Sequence, residues 1–526
     1  MSFRVVDLFA GPGGLGEGFA RYGGGDRFEI AISAEMEDSA HRTLTMRSFF
    51  RRIQGDQKAL TAYYNFCHSE DAPHPSTVIK SAWADATREA WKLTLGEPGD
   101  NLVLDELLEK SALDGDRTVL IGGPPCQAYS LVGRARNKGE KDYKAEDDHR
   151  HFLYREYLRI VHKTQPAIFV MENVKGILSS KVGGQKVFHD ILRDLSDPGA
   201  ALKSSDGERY VIHSLVEPVC FSYGDDPAAI DANAFIIESE RYGIPQARHR
   251  VILLGVRADI AYDGGKYLKP SAVLSVKDAI GALPKLRSKL SKDDSPTAWR
   301  NEVTKRGERL ISEALNKGMG NLALAMLRAL GDVGKSMETG GVRYRLPVDE
   351  KAVTAYLKWV KDPKLEVWLN HESRSHMPSD LGRYFYTSSY GEANECTPKG
   401  HLEFALKGLA PEHANWESGK FIDRFRVQLR DYPSTTVTSH IAKDGHYFIH
   451  YDAAQCRSLT VREAARLQTF PDNYFFQGNR TQQFHQVGNA VPSLLADKIA
   501  HVVHCILTGK AQQPNKRTSS KAVENT

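Results

Sequence analysis

The stretch that decides the fold is Asp7-Leu8-Phe9-Ala10-Gly11-Pro12-Gly13-Gly14-Leu15-Gly16, which closes the apolar, β-branched run of residues 3–9. A strand, a glycine-rich turn and a helix in this order are typical of nucleotide-binding α/β folds. Glycines permit positive φ and let backbone N–H groups approach a ligand, and the N-terminus of the following helix favours an anionic group. The sequence therefore predicts a ligand site at the end of the first strand.

Further apolar runs of strand length follow along the first half of the chain. The runs predicted as strands are residues 3–9, 29–34, 118–121, 167–171, 210–219 and 251–256. The second run ends in Glu35, roughly 20 residues past the glycine turn, where an acidic side chain can hold ribose hydroxyls. Segments with helical spacing separate the runs, which indicates a mostly parallel α/β sheet with helices on both faces and ligands at the carboxyl ends of its strands.

The pattern changes twice after the last of these strands. We predict a catalytic and cofactor-binding domain over residues 1–256, a smaller, irregular domain over 257–455, a return segment over 456–508 that completes the first domain, and a disordered polar tail over 509–526. The helices expected after residue 256 are 275–280, with Ser275 as its cap, 321–330, 353–360 and 461–468.

Composition excludes several classes of protein. The chain has no apolar run of about 18 residues and no signal-like start, so neither a membrane span nor a secretory leader is expected, and we expect the protein in the cytosol. Its six cysteines form no CxxC pair and no cluster with histidines, so no metal site is expected. A net charge of +4 suits a polyanionic partner without demanding one.

Two short segments carry the chemistry: Gly122-Gly123-Pro124-Pro125-Cys126-Gln127 and Val170-Met171-Glu172-Asn173-Val174. Each lies at the end of an apolar run, so a thiol and a carboxylic acid are expected on neighbouring strand ends. The pair suits attack on a ring carbon of a pyrimidine while the acid protonates or hydrogen-bonds the adjacent ring nitrogen, which indicates cytosine as the acceptor. An inert buried cysteine and a surface carboxylate are the structural alternatives.

With four further segments, these motifs resemble, in the same order, those of DNA (cytosine-5-)-methyltransferases. The resemblance covers essentially the whole chain outside the middle domain. The additional segments are residues 7–14, Gln246-Ala247-Arg248-His249-Arg250, residues 457–470 and Gln486-Val487-Gly488-Asn489-Ala490-Val491-Pro492. The resemblance implies a Rossmann-like S-adenosylmethionine-dependent methyltransferase fold and makes residues 257–455 a target-recognition domain.

The resemblance also implies roles for individual residues. Cys126 would be the nucleophile that adds to carbon 6 of cytosine, Glu172 the acid at ring nitrogen 3, and Arg250, with Arg248 beside it, the group that holds the ring oxygen. The residues assigned to the S-adenosylmethionine pocket are Phe9, Gly11, Gly13, Glu35, Met36, Asp85, Asn489 and Val491. Asp85 has a second interpretation as a helix cap. No metal is needed.

The expected partner is double-stranded DNA, from which the target cytosine is flipped out. In the middle domain, Arg374, Arg383 and Lys443 are the candidate DNA contacts; the first two lie in a basic and aromatic cluster with His376, Tyr384 and Tyr386. A solvated face explains such a cluster equally. We expect a monomer that works with restriction or other defence proteins.

Two other functions stay open at this point: a tRNA cytosine methyltransferase, and a catalytically inactive DNA-binding regulator. The long middle domain argues against the first, and the intact set of Cys126, Glu172 and Arg250 against the second. A nicotinamide-dependent dehydrogenase would explain the glycine turn alone, and it leaves the cysteine and glutamate segments without a role.

Overall fold

The structure is a computed structural model that describes residues 2–125, 152–182, 184–262, 264–334, 337–345, 354–411 and 424–509. Cys126 and Gln127 lie outside the described residues, as does the predicted tail beyond Gly509.

The strands of the described residues are β1 Phe3–Leu8, β2 Phe28–Glu35, β3 Ala90–Lys92, β4 Thr118–Gly122, β5 Ile168–Val174, β6 Lys181–Val182, β7 Gln185–Lys186, β8 Tyr210–His213, β9 Cys220–Phe221, β10 Ile236–Glu238, β11 Gln246–Ala247, β12 His249–Arg257, β13 Lys289–Leu290, β14 Gly340–Tyr344, β15 Trp368–Glu372, β16 Ser375–His376 and β17 Ser434–Thr435.

The helices of the described residues are α1 Gly14–Arg21, α2 Asp38–Arg52, α3 Gln57–His68, α4 Pro75–Val78, α5 Lys80–Glu89, α6 Pro98–Lys110, α7 Phe152–Thr164, α8 Val187–Ser196, α9 Pro198–Ala201, α10 Val276–Ile280, α11 Pro296–Asn316, α12 Gly320–Asp332, α13 Ala355–Val360, α14 Pro378–Asn394, α15 Gly400–Glu403, α16 Val461–Leu467, α17 Arg480–Asn489 and α18 Ser493–Leu507.

One large sheet organises the first 257 residues, in the order β3-β2-β1-β4-β5-β12-β8-β9, with β10 paired to β12. β3, β2, β1, β4 and β5 are mutually parallel, whereas β12 runs antiparallel to both β5 and β8. The expected α/β fold with a mostly parallel sheet is confirmed. The carboxyl ends of β1, β2, β4 and β5 therefore meet at one edge.

The sheet is buried on both faces because alternate residues of each strand join different apolar clusters. Val6 and Leu8 of β1 pack with α7 and α8, whereas Val5 packs with α1 and α18. α1 and α18 lie very close together, since a Cβ on Gly18 would come within 2.4 Å of the Ala496 Cβ. Strands covered on both faces need a nearly continuous apolar sequence, and this is why the sequence predicted them.

The predicted strand over 210–219 is shorter than expected, because β8 ends at His213. The hydroxyl of Ser214 donates to the carbonyl of Ala234 at 2.6 Å and accepts from the N–H groups of Val216 and Glu217, both at 3.0 Å. This local turn uses backbone donors that a strand would offer to its neighbour.

The middle of the chain is more helical than its irregular sequence indicated. α11 has 21 residues and α14 has 17, and the two pack with α12 around a separate apolar core. α11 is rich in polar and charged residues, and its buried positions are Trp299, Val303, Gly307, Leu310 and Ala314. This narrow stripe of helical spacing is easily lost among polar neighbours. The predicted helices 275–280, 321–330, 353–360 and 461–468 correspond to α10, α12, α13 and α16.

After the middle of the chain, α17 contacts α2 and α18 packs against α1, whereas α16 packs with β15, α10 and α17. In the part of the chain that the structure describes, Arg480–Leu507 is the single segment long and apolar enough to cross a membrane, yet 67% of its most apolar window is buried inside the protein. This segment consists of two helices, α17 and α18, and α18 covers the sheet beside α1. We therefore interpret it as core structure.

Candidate active site

The glycine turn that follows β1 has a left-handed backbone at three positions. Phe9 has φ 56°, Gly11 φ 58° and Gly13 φ 95°, and α1 begins at Gly14. A Cβ on Gly13 would lie 2.7 Å from Cδ1 of Leu44. Positive φ is cheap for glycine and strained for Phe9, and at Gly13 the Leu44 side chain also leaves no room for a Cβ.

Glu35 faces this turn from the end of β2. Its Oε2 accepts from the N–H of Gly11 at 2.8 Å and its Oε1 from the N–H of Glu37 at 2.7 Å. The side chain is largely buried, and that burial raises the pKa of the carboxyl group above its usual value. Met36, the next residue, is 51% exposed.

The return segment closes over the same turn. A Cβ on Gly14 would come within 2.4 Å of the carbonyl oxygen of Val491, so backbone meets backbone at this point. Val491 is 9% exposed, and Asn489, the last residue of α17, is exposed. The fold thus brings the 486–492 segment to the glycine turn across most of the length of the chain.

These groups fit the methyl donor that the resemblance implies. An α-helix N-terminus and a turn with open space at Gly11 suit an anionic group, and the Glu35 carboxylate is placed to accept hydrogen bonds from hydroxyl groups. S-adenosylmethionine offers both a carboxylate and a ribose. Seven of the eight predicted pocket residues therefore belong to segments that meet at one edge of the sheet.

Asp85 is the exception, and both of its predicted roles are wrong. It lies inside α5, so it caps no helix end, and its half-exposed carboxylate pairs with Arg88 at 2.6 Å. It also lines a cavity of about 220 Å³ with Arg4 and Glu29, which stand at the amino ends of β1 and β2. That edge of the sheet is opposite to the glycine turn. The segment α2 to α5 between Glu35 and β3 is long, so the position of Asp85 in the sequence did not indicate its position in the fold.

The acid of the second motif sits at the end of β5. Glu172 forms an ion pair with Arg250, whose Nε lies 2.9 Å from Glu172 Oε1, and the two side chains are 14% and 15% exposed. Their backbones are two positions out of register on adjacent antiparallel strands, since Arg250 pairs with Val174 and Ile252 with Glu172. Burial lowers the pKa of Arg250, and the Glu172 carboxylate opposes this.

The Gly-Gly-Pro-Pro segment runs beside this acid. A Cβ on Gly123 would lie 3.1 Å from Glu172 Oε2, and the side-chain amide of Asn173 donates to the Pro124 carbonyl at 3.3 Å. Asn173 thus ties the two motifs together, a contact that the sequence alone does not indicate. Cys126 follows Pro125 directly in the chain, and it lies outside the described residues.

Arg248 plays a different part from Arg250. It is 2% exposed, and its Nη1 donates to the carbonyls of Val437 at 2.8 Å and Gly488 at 3.2 Å. Burial holds its pKa well below the usual range. We correct the grouping of Arg248 with the reacting residues, because its guanidinium joins the middle domain to the return segment.

Two of the three predicted DNA contacts are buried. Arg374 donates to the carbonyls of Lys443 and Ile441 at 2.8 and 2.9 Å, and burial lowers its pKa to about 10. Arg383 donates to the Leu409 carbonyl at 2.9 Å. The prediction for these two arginines is wrong, since their charges serve interior carbonyls.

The rest of that cluster is also interior. Tyr384 is 0% exposed, and its hydroxyl lies 2.7 Å from Nδ1 of His446. His376 is 4% exposed, and burial holds its pKa well below the usual value. Lys443 is exposed, and of the three candidates it alone remains available to a phosphate.

Comparison with known proteins agrees with this geometry. A family model for C-5 cytosine-specific DNA methylase matches residues 104–505. The type II methyltransferase M.Bpa9945I of Bacillus paralicheniformis is 30% identical over an alignment that covers 96% of this chain and 99% of that protein. The DNA (cytosine-5-)-methyltransferase M.ApeKI of Aeropyrum pernix is 26% identical over 96% of this chain and 99% of that protein.

A solved structure supports the fold independently. That of a DNA modification methyltransferase encoded within an E. coli prophage is similar with a TM-score of 0.52 and 19% sequence identity. The match covers 96% of this chain and 100% of that one. At this identity the likeness bears on the fold alone.

Proposed function

The chain belongs to the C-5 cytosine-specific DNA methylase family and is a DNA (cytosine-5-)-methyltransferase, and we propose the following roles for its residues. The observation that carries the proposal is the Glu172–Arg250 pair beside the Gly123-Pro124-Pro125 segment, at the sheet edge that also holds the glycine turn. Family and fold together imply a reaction that depends on S-adenosylmethionine.

The base is activated by addition and released by elimination. The thiolate of Cys126 forms a bond to carbon 6 of a flipped cytosine, while Glu172 donates a hydrogen bond or a proton to ring nitrogen 3. Carbon 5 becomes nucleophilic as a result. After it has gained the methyl group, loss of the carbon-5 proton and departure of Cys126 restore the ring as 5-methylcytosine.

Arg250 holds the base against the acid. Its guanidinium is mostly buried and shares the strand edge with Glu172, so it can donate to the ring oxygen while still in contact with the carboxylate. A low-exposure site strengthens each of these polar contacts relative to water. Asn173 keeps the Pro124 end of the nucleophile segment in place.

The donor is held by the glycine turn and the segments around it. Glu35 would accept from its ribose, Gly11 and Gly13 would let its polar groups approach the backbone, and Val491 with Asn489 would close the site. When bound, S-adenosylmethionine supplies an activated methyl group. Among the described residues, no group of three or more His, Cys, Asp or Glu side chains is placed to hold a metal ion.

The substrate is DNA, and we propose a specific duplex sequence read by residues of the 257–455 domain. The relatives named type II methyltransferases support a role in a restriction-modification system with a partner nuclease. We propose a monomer that acts on DNA in the cytosol. The large helical middle domain favours duplex DNA over tRNA as the substrate.

The experiment is transfer of tritiated methyl from S-adenosylmethionine to unmethylated plasmid DNA and to tRNA, followed by bisulfite mapping. Wild type should label DNA at one sequence, Cys126→Ser should not, and Cys220→Ser, which changes an exposed cysteine, should match wild type. Label in tRNA alone would move the substrate to RNA. Absence of label in both, with S-adenosylhomocysteine still bound, would indicate an inactive regulator.

A further inference from the structure

Tyr474 lies directly beneath the glycine turn. Its hydroxyl donates to the carbonyl of Pro12. A Cβ on Gly13 would lie 3.1 Å from the Tyr474 hydroxyl oxygen. The side chain is 1% exposed and packs against Phe470 and Phe476. One buried hydroxyl of the return segment therefore fixes the middle of the turn.

Asn473, the residue before Tyr474, is connected through Arg47 to α1, the helix that follows the glycine turn. Nη1 of Arg47 donates to the side-chain carbonyl of Asn473 at 2.9 Å, and Nε of Arg47 donates to Glu17 at 2.8 Å. Glu17 is in the first turn of α1 and is 0% exposed, while Arg47 is 4% exposed. A buried pair of this kind is costly to break, so α1 is held to α2 and to Asn473.

The chain of contacts continues into the middle domain. The Asn473 side-chain amide donates to Asp362 Oδ2 at 2.6 Å, and Tyr64 of α3 donates to the same carboxylate oxygen. Asp362 lies between α13 and β15. Polar contacts thus join Asp362, in the domain proposed to read DNA, to Asn473. Tyr474, the next residue in the chain, bonds to the turn proposed to hold the methyl donor.

We propose that Tyr474 and Asn473 are positioning residues for the methyl donor, which fix the glycine turn from the recognition-domain side through Pro12 and Glu17. This inference rests on the proposed donor site. Neither residue takes part in the reaction at the base. Loss of the Tyr474 hydroxyl leaves the Pro12 carbonyl without its buried donor, and the turn can relax away from the geometry that binds the donor.

The test compares Tyr474→Phe with Tyr210→Phe. The control is matched, because Tyr210 is 1% exposed and its hydroxyl donates to the carbonyl of another proline, Pro166, at 3.0 Å. Calorimetric titration with S-adenosylhomocysteine should give a dissociation constant raised about 5- to 10-fold for Tyr474→Phe and unchanged for the control. The KM for S-adenosylmethionine should rise in parallel, with kcat within about twofold of wild type.

A Tyr474→Phe protein that binds S-adenosylhomocysteine as tightly as the control, or that loses kcat at unchanged affinity, overturns the inference and leaves the proposed function intact. A wild-type protein that does not bind S-adenosylhomocysteine overturns the proposed donor site itself. If Tyr474→Phe does not fold, Asp362→Asn is measured in its place. It should weaken binding in the same direction by a smaller factor, and unchanged binding contradicts the inference.

Discussion

Arg250 reaches across from β12 to Glu172 on β5, with Nε 2.9 Å from Oε1, and neither side chain is more than 15% exposed. This pair joins two motifs that are far apart in the chain. Because both members are shielded from water, removing one leaves the other as an uncompensated charge. The acid and the base-holding cation of the proposed reaction are therefore one unit.

Glu172→Gln should reduce kcat by a factor of about 100 to 10,000, because the amide cannot supply a proton to ring nitrogen 3. Binding of S-adenosylhomocysteine should not change. The control is Asp259→Asn, which alters the ion pair with Arg257 at the other end of β12. Steady-state rates with a plasmid substrate measure both variants, and a Glu172→Gln enzyme with wild-type kcat would exclude Glu172 as the acid.

Lys443→Ala should weaken DNA binding and lower the slope of log affinity against log salt concentration by about 1, as expected for one lost phosphate contact. Arg383→Ala should instead lower the melting temperature, since Arg383 supplies the interior carbonyls of Leu409 and Ala410 and pairs with Asp380. Fluorescence anisotropy at several salt concentrations measures the slopes. An unchanged slope for Lys443→Ala would remove it from the DNA interface.

Asp7→Asn should make stability less dependent on pH. Burial raises the pKa of Asp7 to about 8 from 3.8, partly opposed by Arg51. The folded protein therefore binds this proton more tightly than the unfolded chain, and the free energy of unfolding falls as pH rises between about 4 and 8. An asparagine does not titrate, so the variant should gain up to about 1.4 kcal/mol per pH unit relative to wild type over this range.

Urea denaturation of both proteins at pH 5, 6 and 7 measures this difference. Parallel curves would mean that Asp7 is ionised in the folded protein, contrary to the direction given by its burial.

Glu463→Gln should destabilise the protein by about 3 kcal/mol or more, because it leaves the charge of Arg457 buried without its partner. Arg457 Nη1 donates to Glu463 Oε2 at 2.7 Å, and that oxygen also accepts from the N–H of Thr460 at 2.7 Å in a capping box. Burial alone would raise the pKa of Glu463, and Arg457 instead holds it well below its usual range.

The matched control is Asp278→Asn, which alters the exposed capping box formed with Ser275 at the start of α10. It should cost about 1 kcal/mol or less. Equal losses for the two variants, measured by urea denaturation, would show that the buried ion pair adds nothing beyond the cap.

The strands and the glycine turn were predictable because each depends on local sequence. Strands covered on both faces require nearly unbroken apolar residues, and the turn requires glycine at positive φ. The limits of prediction show at α11, where a stripe of five buried positions is spread over 21 residues. They show again at β8, which the Ser214 turn shortens.

Roles predicted from the charge of a residue and its position in the sequence were wrong where the side chain proved to be buried or on another edge of the sheet. Arg374 and Arg383 were expected to contact DNA, and Arg248 to stand with the reacting residues, yet each donates to carbonyl oxygens inside the protein. Asp85 lies within the helical segment α2 to α5, in α5, and faces the edge of the sheet opposite to the glycine turn. A single sequence gives the type of a polar residue and leaves its environment open.

By itself the sequence determined the α/β architecture, the order of the motifs and the types of group available for reaction, because these follow from local patterns of apolar residues and glycine. Only the tertiary structure decided which of those groups meet. The Glu172–Arg250 pair, the contact of Val491 with Gly14 and the hydrogen bond from Tyr474 to Pro12 join residues distant in the chain. Such contacts depend on strand order and helix packing, which bring distant segments to one edge of the sheet.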